Sequence, residues 1–275
     1  MAEVDGVKLG LRPVSSLLPH EETIPEHARR IRDQLARQGV QKDPLVVDGE
    51  TGTVLDGMHR LSAFRELRLE YAVCALVDYS SRSVKLLRWL RCVRAERRDL
   101  LELCFKEAGV GVKSDISEAF DAVESGRSSV AMISSRGCLR SAAPAGKGSG
   151  PSSIVKRIDL AVDAMGWKET FVGEDELDVA LQDENSALVL TPRLSKGDVI
   201  EAALTGRLLP HKTTMHVVEP RPVAIDFPIK SLKETKPPEG LLKEKLKSAP
   251  SELLPPNSTY AGRRYKERLL VLSGA

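Results

Sequence analysis

Val54-Leu55-Asp56-Gly57-Met58-His59-Arg60-Leu61 is the stretch whose reading decides the fold. Upstream, Pro44 to Asp48 and Thr53 to Leu55 are apolar runs separated by Gly49-Glu50-Thr51-Gly52, the composition of a β-hairpin. Downstream, Leu61, Phe64, Arg65 and Leu67 to Leu69 recur at helical spacing. Asp56 to Arg60 therefore lies where a strand ends and a helix begins. Backbone N–H groups lack partners at such an end, and the helix dipole makes it positive. A strand–glycine–helix junction is thus a ready anion site. Gly57 lets a phosphate approach the backbone closely, and His59 and Arg60 carry donors suited to phosphate oxygens. The same residues also fit an ordinary turn in which Asp56 caps the helix. Two potential cations in a first turn are disfavoured by the dipole, a cost that a bound anion would offset. On local physics alone both readings stand.

The 275 residues allow one large domain or two modest ones. Hydrophobic residues make up 41% but aromatics only 4%, so the core must rest on Val, Leu, Ile and Ala. With 41 basic against 39 acidic residues the net charge is +2, a balance that speaks against a dedicated nucleic-acid binder. Cys74, Cys92, Cys104 and Cys138 form neither a C-x-x-C pair nor a zinc spacing, which implies reduced thiols in a cytosol. Met1 to Gly10 holds no apolar signal core, and no stretch is long enough to span a membrane. A cytoplasmic protein without a membrane partner is expected; oligomeric state is not legible.

Taken in order, Val7 to Val14 alternates as a first strand, and Leu17 to Glu22 is a loop. Pro25 opens a helix that Gly39 ends. The hairpin and the Asp56 helix follow, then a mostly apolar strand from Tyr71 to Tyr79. Val84 to Arg98 reads as a helix with Leu86, Leu87, Leu90 and Val93 inward and Arg88, Arg91, Arg94, Arg97 and Arg98 on a solvated face. Helices are expected over Leu100–Ala108, over Ile116–Val123 with Ser114 as cap, over Ile154–Met165 and over Glu174–Leu181. Ser141 to Ser153 has the Gly/Ser/Pro composition of a flexible linker. Its Gly146-Lys147 is no Walker motif, because Ser141 and Gly148 stand where a Gly and a Ser or Thr are needed. Ser186 to Leu190 is a buried-type strand, Ser195 caps a helix to Thr205, and Pro210 to His216 is an irregular loop.

Three stretches together resemble the free L-serine kinases of the ParB/sulfiredoxin-like superfamily. Asp56-Gly57-Met58-His59-Arg60, after its V-V-D-x-x-T-x-x-V-L hairpin, is similar to that family's D-G-H-H-R segment. Leu18-Pro19-His20-Glu21-Glu22 precedes it. Lys196-Gly197-Asp198-Val199 through Pro210-His211-Lys212-Thr213-Thr214-Met215-His216 follows. The resemblance implies an α/β (α+β) fold. A nucleotide-binding core of mixed sheet and flanking helices, in the order β-α-β-β-α-β, would fill residues 1–110, and a C-terminal α/β part over 111–275 would complete the substrate site. It implies transfer of a phosphoryl group from ADP or ATP, with Mg²⁺, to free L-serine, as for supply of phosphoserine to serine or cysteine biosynthesis. Archaeal members use ADP, and that likeness leans to ADP here.

Such a reaction needs donors around the phosphate, a base for the hydroxyl proton and a pocket that holds the acceptor in line. Asp56, Gly57, Met58, His59 and Arg60 supply the first, and Asp56 is also the candidate Mg²⁺ ligand. The resemblance makes Glu21 the base, with Glu22 as its alternative, and lets His59 orient phosphate or carry a proton. It assigns Lys212 and Thr213 to the nucleotide and Trp89, Thr214 and His216 to serine. By residue type alone, Trp89 would be core and the Lys212 loop plain surface. Met58 and Met215 depart from the family's D-G-H-H-R and P-P-K-T-T-R-H patterns, and Met215 cannot make an arginine's bidentate contact. A sulfiredoxin is excluded, since Met58 stands where that enzyme needs its cysteine nucleophile. A ParB-like nucleotide-dependent DNA clamp is the alternative. It calls for a G-E-R-R-type turn and a basic helix-turn-helix, and Ser195 to Arg207 carries too few cations for the latter.

Overall fold

A computed structural model describes residues 1–142 and 150–272. Most of the stretch expected to be a linker, residues 143–149, lies outside the described residues. The chain forms two compact units that interleave along the sequence. One comprises Met1–Leu86, Ser195–His211 and His216–Ala275, the other Leu87–Leu194 and Lys212–Met215. The expectation from sequence divides the chain once, at residue 110.

The first unit is built on a mixed six-stranded sheet. Its first half holds β1 (Ala2–Val4), β2 (Val7–Pro13), β3 (Leu18–Pro19), β4 (Val40–Gln41), β5 (Leu45–Asp48), β6 (Thr53–Asp56) and β7 (Tyr71–Val77), with α1 (Pro25–Gln38) after β3 and α2 (Met58–Glu66) after β6. The sheet order is β1-β2-β7-β5-β6-β3, and β4 stands outside it. β5 runs antiparallel to β6 and parallel to β7, while β2 is antiparallel to β7. The β-α-β-β-α-β order is thus present, and the hairpin and the helix after Gly57 fall where the sequence puts them. The alternation of β5 and β6 explains the layering. Leu45, Val47 and Val54 turn to one face, where Leu61 and Phe64 of α2 and Leu35 of α1 cover them. Val46 and Leu55 turn to the other face, against Tyr79 and Val199. Val199 belongs to the helix Lys196–Thr205, whose N-cap Ser195 accepts from the Asp198 N–H as expected. A helix at Glu239–Ser248 packs on β1 and β2.

In the second unit the main correction lies at β8 (Val84–Arg94), which begins in the first unit. It is a strand, not the helix read from the sequence. From Trp89 to Arg94 it pairs antiparallel with the strand Lys168–Gly173, and on its other edge with Ser186–Leu190. Both of its faces are covered. Val93 packs with Phe105 and Ile158 on one side, and Leu90 and Cys92 pack with Ala119 and Val123 on the other. A strand buried on both faces loses its period-two alternation and mimics a helix in apolar spacing. Two of the supposed solvated arginines are buried as well. Arg88 pairs with Glu124 at 2.7 Å and with Glu174, and Arg91 pairs with Asp159 at 3.0 Å and with Glu169 at 3.5 Å. Smaller corrections follow. Asp115, one residue after Ser114, caps the helix Ile116–Glu124 by accepting from the Glu118 N–H. Helix over Glu174–Leu181 shrinks to a 3₁₀ turn and Leu177–Ala180. The expected loop ends early, since Thr214–Val218 is a strand. All four cysteines are free, and burial pushes the Cys74 thiol up to about 12. Among the described residues no helix is long and apolar enough to cross a membrane.

Candidate active site

Ion pairs brace the turn after β6. Gly57 is the N-cap of α2 at φ 111°, ψ 24°, and has no side chain with which to cap the helix. A Cβ at Gly57 would lie 2.5 Å from Cδ2 of Leu45, so this position needs glycine for space as well as for its positive φ. Oδ2 of Asp56 accepts from Nη2 of Arg60 and from Nη1 of Arg221, each at 3.0 Å. Arg60 also donates through Nη1 to the carbonyls of Asp43 and Pro44, both at 2.8 Å. Its guanidinium therefore braces the turn against the loop before β5. Met58 turns its side chain to the core, where it packs beside the cluster that holds Leu61 and Phe64.

The segment from His20 to Ile24 is tied to both sides of this turn. His20 donates from Nδ1 to the Val54 carbonyl at 2.7 Å; a carbonyl can only accept, so the proton is on Nδ1. Four residues later the Ile24 N–H donates to Nε2 of His59 at 3.0 Å, so that nitrogen carries no proton. The His59 ring lies 4.5 Å, centroid to centroid, from that of His27. Between the two ties, Glu21 bridges to Leu209: the Leu209 N–H donates to the His20 carbonyl at 2.9 Å and the Glu22 N–H to the Leu209 carbonyl at 2.8 Å. Glu21 is buried and Glu22 half-buried. Oε1 of Glu21 lies 3.8 Å from Nε2 of His20.

Behind His20 sits His216, the two rings edge to face at 5.4 Å. Its Nε2 is 2.7 Å from the Tyr79 hydroxyl. Burial holds the His216 pKa well below the usual histidine value, helped by His20 and Arg221 and opposed by Asp56. Burial lowers that of His20 too, with Glu21 pulling the other way. Both imidazoles are therefore neutral near pH 7. Arg221, 3% exposed, completes the group. Besides Asp56 it donates to the His216 carbonyl at 2.5 Å and pairs through Nε with the buried Glu267.

Of the residues expected from sequence, Glu21, Asp56, Gly57, Met58, His59, Arg60 and His216 lie in the first unit. Trp89, Lys212, Thr213 and Thr214 lie in the second. There the Lys212 ammonium sits 5.2 Å from the Trp89 ring centroid, and Lys212 takes a positive φ of 56°. Met215 is buried, an apolar fill. Arg221 and Glu267 were not expected: 165 residues separate Arg221 from its partner Asp56, and no local pattern marks so distant a pair. The sequence marks His20 only by its place directly before Glu21. Two guanidinium groups already occupy Oδ2 of Asp56. Among the described residues no group of three or more His, Cys, Asp or Glu gathers that could hold a metal. This donor set does not fit a metal held by the protein itself.

No family model matches the chain. An ATP-dependent L-serine kinase of Staphylothermus marinus is 28% identical over 233 residues, 80% of this chain and 89% of that protein. The ADP-dependent L-serine kinase SerK of Thermococcus kodakarensis is 23% identical over 228 residues, 80% of this chain and 90% of that protein. Among solved structures, a variant free serine kinase in complex with AMP superposes with a TM-score of 0.71 at 20% identity, covering 82% of this chain and 94% of that one. The chain is thus related in sequence to the L-serine kinases over most of its length and carries the fold of the free serine kinases.

Proposed function

We propose that this chain transfers a phosphoryl group from ATP or ADP to the hydroxyl of free L-serine, giving O-phospho-L-serine. The observation that carries the reading is the double tie of the Glu21 segment to the phosphate-type turn. His20 is bonded to Val54 before the turn and Ile24 to His59 after it. A buried carboxylate is thereby set on a rigid segment anchored on both sides of a positive helix end. In this reading the first-turn amides of α2 take the phosphates. Glu21 takes the serine hydroxyl proton as the Oγ–P bond forms and the bond from phosphorus to the leaving nucleotide oxygen breaks. His59 positions: its Nε2 is occupied by the Ile24 N–H, so it fixes the base-bearing segment. Arg60 and Arg221 hold Asp56. Lys212 and Thr213 are assigned to the nucleotide and Trp89, Thr214 and His216 to serine on the resemblance. Mg²⁺ enters as the counter-ion of the nucleotide.

The resemblance leans to ADP. The relatives of higher identity are named ATP-dependent, at 28%, against 23% for the ADP-dependent one, which puts both donors in the test. Purified protein is incubated with Mg²⁺, L-serine and either nucleotide, and O-phosphoserine and the spent nucleotide are measured. Phosphoserine with AMP assigns ADP as donor, and phosphoserine with ADP assigns ATP. Glu21→Gln should lower turnover about 10²–10⁴-fold, the range of a lost general base. Absence of phosphoserine with either donor overturns the reading. A ParB-like DNA clamp is not favoured, because the curated relatives that align over most of the chain are kinases.

A further inference from the structure

The end of the six-stranded sheet opposite the Asp56 turn holds a cavity that the proposed phosphoryl transfer does not use. β5 meets Asp56 through Val46, and meets Val77 of β7 through its last residue, Asp48. Beside Val77 lies a cavity of about 170 Å³, lined by residues of the first unit alone. A cavity of about 150 Å³ accommodates benzene, so a ligand of that size or smaller fits here. Val7, Leu76, Val218 and Pro222 give it apolar walls, and Lys8 and Asp78 give it one charge of each sign. Leu76 stands directly opposite Lys8, and strand alternation puts Asp78 on the same face, one diagonal step away. Yet the two form no ion pair with each other. Among the described residues Lys8 has no ion-pair or hydrogen-bond partner, although Glu3 stands opposite it across β1. Asp78 is oriented by its own segment instead. Its Oδ1 accepts from the Ser80 hydroxyl at 2.6 Å and from the Ser80 N–H at 2.9 Å. Those two bonds hold its carboxyl below the usual aspartate range, with a smaller contribution from the charge of Lys196. Glu219, the other acid in the wall, is taken by Arg268.

We propose that this cavity binds a small α-amino acid as its zwitterion. The ligand carboxylate pairs with Lys8, its ammonium pairs with Asp78, and a short side chain rests on Val218 and Pro222. Diagonal neighbours on a sheet stand about 7–8 Å apart, a gap that one amino acid bridges with a charge-assisted bond at each end. A plain anion would meet Asp78 and a plain cation would meet Lys8, so only a molecule with both charges avoids repulsion. Apolar walls with a few placed polar groups are what small-ligand sites require. The site is separate from the serine site of the kinase reading and does not depend on it. Its position still bears on the candidate active site. Asp78 directly precedes Tyr79, and Val218 lies two residues after His216, whose Nε2 is 2.7 Å from the Tyr79 hydroxyl. A ligand held by Asp78 and Val218 thus touches the segments that carry both partners of that bond.

The test titrates glycine, L-alanine and L-cysteine into the full nitrogen-15-labelled chain without nucleotide, with calorimetry in parallel. None of the three carries the hydroxyl that a serine kinase would phosphorylate. The expected result is saturable binding by at least one of them. Amide shifts should move at Asp78, Ser83 and Val218 and stay in place from Gly57 to Arg60. Lys8→Met and Asp78→Asn should each weaken binding by about 10–100-fold, while Glu21→Gln leaves it unchanged. Lys8 and Asp78 are both exposed, and Asn keeps an oxygen for the Ser80 bonds, so both variants should melt like the wild type. No saturable binding by any of the three overturns the inference, as does binding that neither substitution weakens. Shifts confined to Gly57–Arg60 overturn it too, by placing the amino acid at the candidate active site. None of these readouts requires phosphoserine to be made, so the kinase reading and this one fail separately.

Discussion

Replacement of Arg221 by Met keeps an unbranched apolar stem and removes the guanidinium and its charge, and the consequence can be worked from its surroundings. Arg221 is 3% exposed and its partner Glu267 is 4% exposed, while Asp56 is about a third exposed at 32%. At 3.0 Å, the Arg221–Asp56 pair has a Coulomb energy of about 5 kcal/mol with an effective dielectric near 20, an upper bound that solvent at Asp56 reduces. The larger loss comes from Glu267, left buried without its cation, for which breaking a buried pair costs about 3–5 kcal/mol. Against a total stability of roughly 5–15 kcal/mol this is a large fraction. It corresponds to a melting temperature lower by about 6–20 °C. The assay is a double-mutant cycle in urea and heat with Arg221→Met, Glu267→Gln and both together. The double variant should be more stable than the sum of the singles, with a coupling of about 0.5–3 kcal/mol. Arg221→Met within about 1 kcal/mol of wild type, or strict additivity in the cycle, would refute the argument that the pair holds this end of the site together.

Gly57→Ala should cost roughly 2–4 kcal/mol, combining strain at φ 111° with overlap of the new methyl on Leu45, and should weaken nucleotide binding. An alanine variant with wild-type melting and nucleotide affinity would show that the turn relaxes freely. Acid should destabilise the fold through His20 and His216. Both have folded pKa values below the unfolded value, so the unfolded chain binds more protons as pH falls below about 6.5. Stability is then lost at up to about 1.4 kcal/mol per pH unit for each histidine, until its folded pKa is reached. Urea midpoints from pH 8 to pH 5 check this. A flat profile between pH 7 and pH 5 would contradict the buried neutral pair.

What the sequence made legible was local. The hairpin, Gly57 and the helix from Met58 lie within some twenty residues, and each is set by turn residues and spacing that need no distant partner. The histidine–glutamate segment was legible through resemblance. Its geometry was not, because the ties to Val54, His59 and Leu209 span 34, 35 and nearly 190 residues. β8 was misread for a physical reason. Its leucines, Val93 and Cys92 serve two cores, and Arg88 and Arg91 find acids on other elements, so neither alternation nor polarity survived as a sign of a strand. The cap of Ile116–Glu124 was missed by one residue because Ser114 and Asp115 are both good capping types, and only the backbone shows which one faces the Glu118 N–H.

The treatment of Asp56 joins these strands of argument. An Asp before a helix ordinarily caps it, and that contact stabilises a helix by about 0.5–2 kcal/mol. Here Oδ2 of the carboxylate is held by one guanidinium from the helix that follows it and by a second from a segment 165 residues distant. The N-cap itself is Gly57, which has no side chain, and the first turn of α2 holds no acidic residue. A turn that needed only stability would have no use for Arg221 and Glu267 buried behind it. Tying the carboxylate to two guanidinium groups limits how far it neutralises the helix end, which makes physical sense if a ligand anion is to bind there. The segment that carries Glu21 is tied to Val54 before that turn and to His59 within it, which is what the proposed general base would require.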